Sequence, residues 1–105
     1  MLALRRGDKM SSEYLLLMHD DAPAGADGWD AYLARLRQAG VLLGGSSIGP
    51  GRSYRKHAAA AGVTAHLAGY IKVAADSADA AAALLEGNPV YEAGGTVEIR
   101  ELPRD

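Results

Sequence analysis

Apolar and polar positions alternate along residues 65–73 (AHLAGYIKV) with the two-residue period of a β-strand. This period puts three aliphatic side chains on one face of the strand, namely Leu67, Ile71 and Val73. It puts three polar side chains on the other face, namely His66, Tyr70 and Lys72. An alanine-rich segment follows at once and predicts a helix, capped by Asp76 or Ser77 and running through Glu86, that covers the apolar face. The polar face then borders either a solvent-filled cavity or the surface of a partner protein.

Two more strands and one helix are predicted before this strand. Residues 14–18 (YLLLM) form a continuous apolar run, which is typical of a strand buried on both faces. An apolar helical stripe follows at the spacing i, i+3, i+4 and i+7, formed by Trp29, Tyr32, Leu33 and Leu36. We place the N-cap of this helix at Asp27 and its end near Ala39, so that Arg37 faces water. Residues 41–48 (VLLGGSSI) predict the second strand, whose two adjacent glycines permit a bulge.

The remaining segments predict an arm, a turn and a last strand. Residues 52–57 (RSYRKH) are the most basic patch of the chain and predict an exposed strand or hairpin arm. Residues 88–91 (NPVY) predict a turn, and residues 96–102 (TVEIREL) predict a strand. The aliphatic side chains of Val97 and Ile99 lie on one face of that strand. The charged side chains of Glu98 and Arg100 lie on the other face.

The order of these elements is βαβ, the basic arm, and βαβ again. Two such units predict an α+β, ferredoxin-like βαββαβ plait, in which a four-stranded antiparallel sheet carries two helices on one face. The opposite face of the sheet has no helix to cover it, which favours the association of two copies around a lined cavity. We therefore expect a homodimer.

Composition limits the partners and the cellular setting. The chain has 105 residues, a net charge of −2 and no block of Lys or Arg, so neither nucleic acid nor an anionic membrane is the expected partner. No apolar run approaches the length of a bilayer span, and the N-terminus lacks the pattern of a signal peptide. Cysteine is absent, which fits a reducing cytoplasmic location. We divide the chain into a flexible extension, residues 1–12, and one domain, residues 13–105.

Three segments carry a resemblance to a known family: YLLLMHDD, LARLRQAGVLLGGSSIGP and LAGYIKVAADSADAAAALLEGNPVYEAGGTVEIREL. Through them the chain resembles the YCII-related family, within the dimeric α/β-barrel group of ferredoxin-like proteins, over nearly everything after Ser12. The resemblance implies a homodimer with a pocket between sheet and helices, and a relation to enzymes such as muconolactone isomerase. It also implies a His/Asp pair for acid–base chemistry. This chain carries Tyr32 and Asn88 at those positions and keeps the acid after the first strand as Asp20.

Three residues are candidates for proton transfer, namely His19, Asp20 and His66. His19 and Asp20 lie where the first strand ends and a loop begins. An imidazole works as an acid or a base near neutral pH, and a neighbouring carboxylate raises its basicity. His66 lies roughly 13 Å from Tyr70 along one strand face, so the two can line one cavity without touching. The structural alternatives are a strand-end histidine beside a solvated acid, and packing of His66 at a dimer face.

Six residues are candidates for ligand binding: Tyr32, Ser47, Arg52, Tyr70, Asn88 and Arg100. Arg52 belongs to the basic arm, which either closes over an anionic ligand or is a solvated loop. Glu98 and Arg100 either bind a ligand or form ion pairs with residues of neighbouring strands.

The predicted protein is a homodimer with a cleft for a small polar or carboxylated molecule. If it is an enzyme, we expect cofactor-free proton transfer of the isomerase or lyase kind, with His19 or His66 as the base. No metal-ligand set and no phosphate-binding fingerprint is recognisable, so we expect neither a metal nor a cofactor. The alternative is a non-catalytic dimeric module that binds a metabolite or assists a partner protein. Tyr32 and Asn88, which replace an ionisable pair, favour that alternative.

Overall fold

Four strands form one antiparallel sheet with helices packed on one face. The computed structural model of the chain describes residues 11–23 and 27–104. Its elements are β1 (Ser12–His19), α1 (Trp29–Gln38), β2 (Leu42–Ser47), β3 (Leu67–Ala75), α2 (Ala78–Ala83), α3 (Pro89–Glu92) and β4 (Val97–Leu102). The strand order β2-β3-β1-β4 confirms the predicted α+β, ferredoxin-like plait. Of the predicted N-terminal extension, residues 1–10 lie outside the described residues, and Ser12 is the first residue of β1.

The core lies between the sheet and its helices. Every second residue of β1 is buried, namely Tyr14, Leu16 and Met18. They belong to one cluster with buried residues of β3 and α1: Ile71, Val73, Tyr32 and Leu36. The intervening Leu15 and Leu17 are only half-buried, because no described helix covers their face of the sheet. The predicted burial of β1 on both faces therefore holds for one face only.

Helix α1 begins and ends beside glycines. Its N-cap is Gly28 with a φ of 96°, and no side chain caps the helix, so the predicted N-cap at Asp27 is wrong. Gly40, with a φ of 75°, ends the helix as predicted, because glycine adopts this left-handed conformation without steric cost. Trp29 and Leu33 of the predicted stripe are half-buried, because they border a cleft.

Two short helices follow β3 where the sequence predicts one helix and a turn. Ser77 caps α2, as one of the two predicted caps, but the helix ends at Ala83 and not near Glu86. Asn88 caps α3 through Oδ1, which accepts hydrogen bonds from two backbone N–H groups at 3.0 and 3.1 Å. Pro89 occupies the first helical position. Asn followed by Pro is a helix-start signal, so the predicted turn is a helix.

The segment before β3 differs from the prediction in two ways. Strand β3 begins at Leu67, so His66 precedes the strand and does not lie on its polar face. Residues 52–57 are exposed, as predicted, but irregular, so the predicted strand or hairpin arm is wrong. In β2 the register shifts between Leu42 and Gly44, which is the bulge that the glycine pair permits.

Candidate functional site

A cleft of about 860 Å³ opens between helix α1 and strands β2 and β3. Apolar residues form much of its lining: Met18, Trp29, Leu33, Leu42, Ile71 and Val90. Residues with polar side chains complete the lining: His19, Asp20, Arg37, Ser46, Ser47 and Tyr70. This volume is typical of sites for small organic molecules, and a few polar groups on an apolar wall are what orients such a ligand.

Two glycines form part of the floor of the cleft, where strands β2 and β3 pair. Gly45 of β2 and Gly69 of β3 both belong to the lining. A Cβ atom on Gly45 would lie 2.8 Å from the carbonyl oxygen of Tyr70, and one on Gly69 would lie 3.0 Å from that of Ser46. A larger residue at Gly45 would force a shift of the facing backbone, and one at Gly69 would require the backbone of Ser46 to move by a few tenths of an ångström, so the close pairing of β2 and β3 favours glycine.

His19 lies at the end of β1, with a carboxylate and a second imidazole beside its ring, on the face of the sheet that bears Leu17, the register partner of Glu98. Its Nε2 lies 3.2 Å from Oε1 of Glu98 on β4. Its ring packs edge-on against the ring of His66, with 4.7 Å between the centroids. An ionised carboxylate only accepts hydrogen bonds, so Nε2 of the neutral imidazole donates and Nδ1 carries the lone pair. The carboxylate that contacts His19 is thus that of Glu98 and not that of Asp20, which is exposed.

Glu98 is shared between His19 and Arg100. Its Oε2 accepts a hydrogen bond from Nη1 of Arg100 at 2.8 Å. Arg100 therefore pairs within β4 and not across strands as predicted, whereas the contact between Glu98 and His19 does cross from β4 to β1. The hydrogen bond from Arg100, followed by that from His19, lowers the pKa of Glu98. Glu98 therefore presents a carboxylate to His19 at neutral pH.

Asp21 fixes the loop that follows β1. Its Oδ1 accepts a hydrogen bond from the backbone N–H of Thr96 at 2.8 Å, and its Oδ2 accepts one from the Thr96 hydroxyl at 2.7 Å. These bonds lower the pKa of Asp21. They tie the loop residues Ala22 and Pro23, which line the cleft, to the start of β4. Asp21 therefore supports one wall of the cleft.

The two positions that match the family's His/Asp pair hold buried side chains. Tyr32 is 3% exposed, and its hydroxyl donates a hydrogen bond to the carbonyl oxygen of Leu84 at 2.7 Å. Burial raises the pKa of Tyr32. Asn88 is fully buried and caps α3. Neither residue belongs to the described lining of the cleft, so we assign both to packing.

The other residues predicted to bind a ligand fall in three places. Ser47 and Tyr70 belong to the lining of the cleft. Arg100 contacts Glu98 and so reaches His19 only through another side chain. Arg52 lies in the exposed loop, outside the described lining.

Three residues of the site are missing from the sequence-based candidates. Arg37 borders the cleft and is also exposed to water, as predicted, whereas Trp29 lines the cleft although helical periodicity places it in the core. Glu98 is paired with His19 across 79 positions of the chain. Alternation along β4 indicates only which face Glu98 occupies, and no local pattern identifies its partner.

The fold and the cleft together define an α+β, ferredoxin-like protein with room for a small molecule between its sheet and its first helix. Residues 13–104 match the YCII-related domain, and the chain belongs to this family. No curated protein matches the chain. None of the described helices is long and apolar enough to cross a membrane. Among residues 11–23 and 27–104, no group of three or more His, Cys, Asp or Glu side chains is arranged to hold a metal ion.

Proposed function

We propose that this protein is a cytoplasmic, homodimeric enzyme that moves a proton on a small polar or carboxylated molecule, without a cofactor. The observation that carries this proposal is the contact of 3.2 Å between His19 Nε2 and Glu98 Oε1, at the end of β1 and on the face of the sheet that bears Leu17. A carboxylate that accepts from one imidazole nitrogen leaves the other nitrogen free to act as a base, and it stabilises the imidazolium that forms.

His19 is the base in this proposal. Its Nδ1 removes a proton from a C–H bond of the ligand, and the carboxylate of Glu98 stabilises the resulting positive charge. Return of the proton to another carbon gives an isomerisation, whereas departure of a leaving group gives an elimination. Asp20 is a second group on the lining that can carry a proton, and His66 holds the ring of His19 by its edge-on contact. Tyr70, which pairs with Leu17, supplies a hydroxyl group on the same face of the sheet as His19 and Glu98.

Deuterium exchange in the wild-type protein tests this proposal. The protein is incubated in D₂O with a panel of small carboxylic acids that each carry a C–H bond next to a carbonyl group or a double bond. We expect at least one compound to incorporate deuterium at that carbon faster than it does without protein, as measured by the loss of its ¹H signal. Compounds that bind saturably but never exchange would contradict the enzymatic proposal.

The uncovered sheet face supports the dimeric part of the proposal. Leu15 and Leu17 are half-buried there, and Leu15 pairs with Lys72 on one side and Arg100 on the other. We expect light scattering to give twice the mass of one chain. Leu15→Glu should give a folded monomer, because the two flanking cations stabilise the new carboxylate while an apolar interface does not. A wild-type monomer at all concentrations would exclude the dimer.

A second candidate function is a non-catalytic module that binds a metabolite or assists a partner protein. The burial of Tyr32 and Asn88 favours it, because the positions of the family's acid–base pair do not face the cleft here. Saturable binding in the exchange experiment without incorporation of deuterium would support this second function.

A further inference from the structure

We infer that a second copy of this chain packs on the uncovered face of the sheet with its strands antiparallel to those of the first, so that Glu13 and Arg100 of the partner subunit complete the site at His19. This inference rests on the proposed function for the chemistry of the site and for the dimer. It adds the arrangement of the two copies and the residues that each supplies to the other. It follows from the order of apolar, cationic and anionic side chains along the uncovered face.

The pairing of the strands arranges the uncovered face in rows that run across β3, β1 and β4. Two central rows each have a leucine of β1 in the middle: Lys72, Leu15 and Arg100, then Tyr70, Leu17 and Glu98. The first row therefore carries two cations, whereas the second carries a phenol and a carboxylate. Glu13 precedes both rows on β1, with its Oε1 3.1 Å from Nζ of Lys72, and His19 follows them. A partner that presents the rows in reverse order is complementary to this face.

A parallel arrangement of two stacked copies places like charges together. A two-fold axis that runs along the strands puts each row opposite the same row of the partner, with β3 opposite β4. Lys72 then faces Arg100 of the partner subunit, and Arg100 faces the partner's Lys72. Like charges that face each other at an interface oppose association, so the parallel arrangement is disfavoured.

An antiparallel arrangement pairs complementary groups instead. A two-fold axis that runs across the strands puts the row of Leu15 opposite the row of Leu17, with β3 opposite β3 and β4 opposite β4. The two leucines then cover each other, and Arg100 faces the partner's Glu98. The side chains of Arg100 and Glu98 are 65% and 38% exposed, so both can contact a second copy. Lys72 faces the ring of the partner's Tyr70, which attracts a cation.

The antiparallel arrangement also brings residues of the partner to His19. Glu13 and His19 lie at opposite ends of β1, roughly 20 Å apart in one chain at the rise of a β-strand. When the rows face each other in reverse order, the partner's Glu13 lies opposite His19, and the partner's Arg100 lies opposite Glu98. The carboxylate that contacts Nε2 of His19 then meets a guanidinium from each subunit. Each of the two sites in the dimer is therefore built from both copies.

Nuclear Overhauser contacts between the subunits of the wild-type dimer test this arrangement. Dimers are prepared from a mixture of ¹³C-labelled and unlabelled chains, and only contacts between a labelled and an unlabelled chain are selected. We expect contacts from the Tyr70 ring to the side chain of Lys72, and from the methyl groups of Leu15 to those of Leu17. Contacts from the Tyr70 ring to Glu98, or no contact between subunits, would overturn the inference.

Arg100→Glu tests the sign of the charge that faces position 100. In the antiparallel arrangement the new carboxylate faces the partner's Glu98, so we expect the dissociation constant of the dimer to rise at least about tenfold. In the parallel arrangement it faces the partner's Lys72 and tightens the dimer. Arg37→Glu makes the same change on α1, away from this face, and should alter the constant by less than about twofold. A constant that is unchanged or lower in Arg100→Glu, measured by analytical ultracentrifugation, would overturn the inference, and so would an equal rise in Arg37→Glu.

Glu13→Gln tests whether the site is shared between subunits. We expect the ring ¹⁵N signals of His19 to move at constant pH, because the partner's Glu13 faces this ring. Glu101→Gln makes the same change at the same end of the sheet but on its other face, where Glu101 pairs with Tyr14, and should leave the signals in place. The movement should disappear when Glu13→Gln is combined with Leu15→Glu, the variant expected to be a monomer. Signals that stay in place in Glu13→Gln would overturn the shared site, and so would a movement that persists in the monomer.

These outcomes are distinguishable from that of the proposed function, because none of the measurements involves turnover. An antiparallel dimer whose His19 signals depend on Glu13, combined with no deuterium exchange in any compound, would overturn proton transfer and leave the inference intact. Exchange by a protein whose subunits contact each other in parallel would leave the enzyme intact and overturn the inference.

Discussion

His19→Gln is expected to slow the incorporation of deuterium into a substrate by at least about a hundredfold, which is the usual contribution of a positioned base. Glutamine keeps much of the size and hydrogen-bonding capacity of histidine, but it does not take up a proton near neutral pH. Its side-chain amide can still donate a hydrogen bond to Glu98, which lies 3.2 Å from the imidazole in the wild type. The fold should therefore survive, as checked by circular dichroism, while the exchange rate measured by NMR falls.

Two further variants show whether the loss belongs to the site. His57→Gln makes the same change in the exposed loop and should leave the rate unchanged. Glu98→Gln removes the carboxylate that orients His19 and should slow exchange about tenfold, and Glu98→Asp should restore part of the rate, as expected for a positioning residue. If His19→Gln and His57→Gln exchange at the same rate, His19 is not the base.

Asn88→Ala is expected to lower the free energy of unfolding by about 2 kcal/mol. The substitution removes the Oδ1 that accepts hydrogen bonds from two backbone N–H groups at the start of α3. Asn88 is fully buried, so water does not replace these bonds without a local opening of the structure. Urea denaturation monitored by circular dichroism measures the change.

Ser77→Ala is the matched control for this prediction. Ser77 also caps a short helix, through one bond of 3.0 Å from Ala80, but it is exposed. Water can therefore reach the freed N–H group, and we expect a loss of about 1 kcal/mol or less. A loss in Asn88→Ala no larger than that in Ser77→Ala would contradict the structural role assigned to Asn88.

Most of the fold is predictable from the sequence, because hydrophobic period and turn residues are local. The alternation in β3 and the stripe of α1 both correspond to observed elements, and Gly40 ends α1 where expected. The errors are also local. At Asp27 a favourable side chain predicts a cap that the left-handed Gly28 provides, and at Asn88 and Pro89 a helix start resembles a turn.

The candidate site is less predictable, because it depends on contacts between distant parts of the chain. His19 is recognisable from its position at a strand end, but its partner Glu98 is fixed only by the pairing of β1 with β4. The sequence assigns Arg37 to the polar face of α1, but in the structure Arg37 also borders the cleft beside this helix. Periodicity shows which side of a helix is apolar and not where a neighbouring surface ends.

Substitutions can enlarge the cleft on its helical wall but not at the two glycines of its floor. Gly45 and Gly69 already carry the smallest side chain, so every replacement there adds atoms against the opposing strand. Variation of the floor can only narrow the range of ligands or disrupt the sheet. The helical wall is different, because Trp29 and Leu33 can each be replaced by smaller residues on an intact helix. Relatives or designed variants that accept bulkier ligands should therefore differ at the helix and retain both glycines.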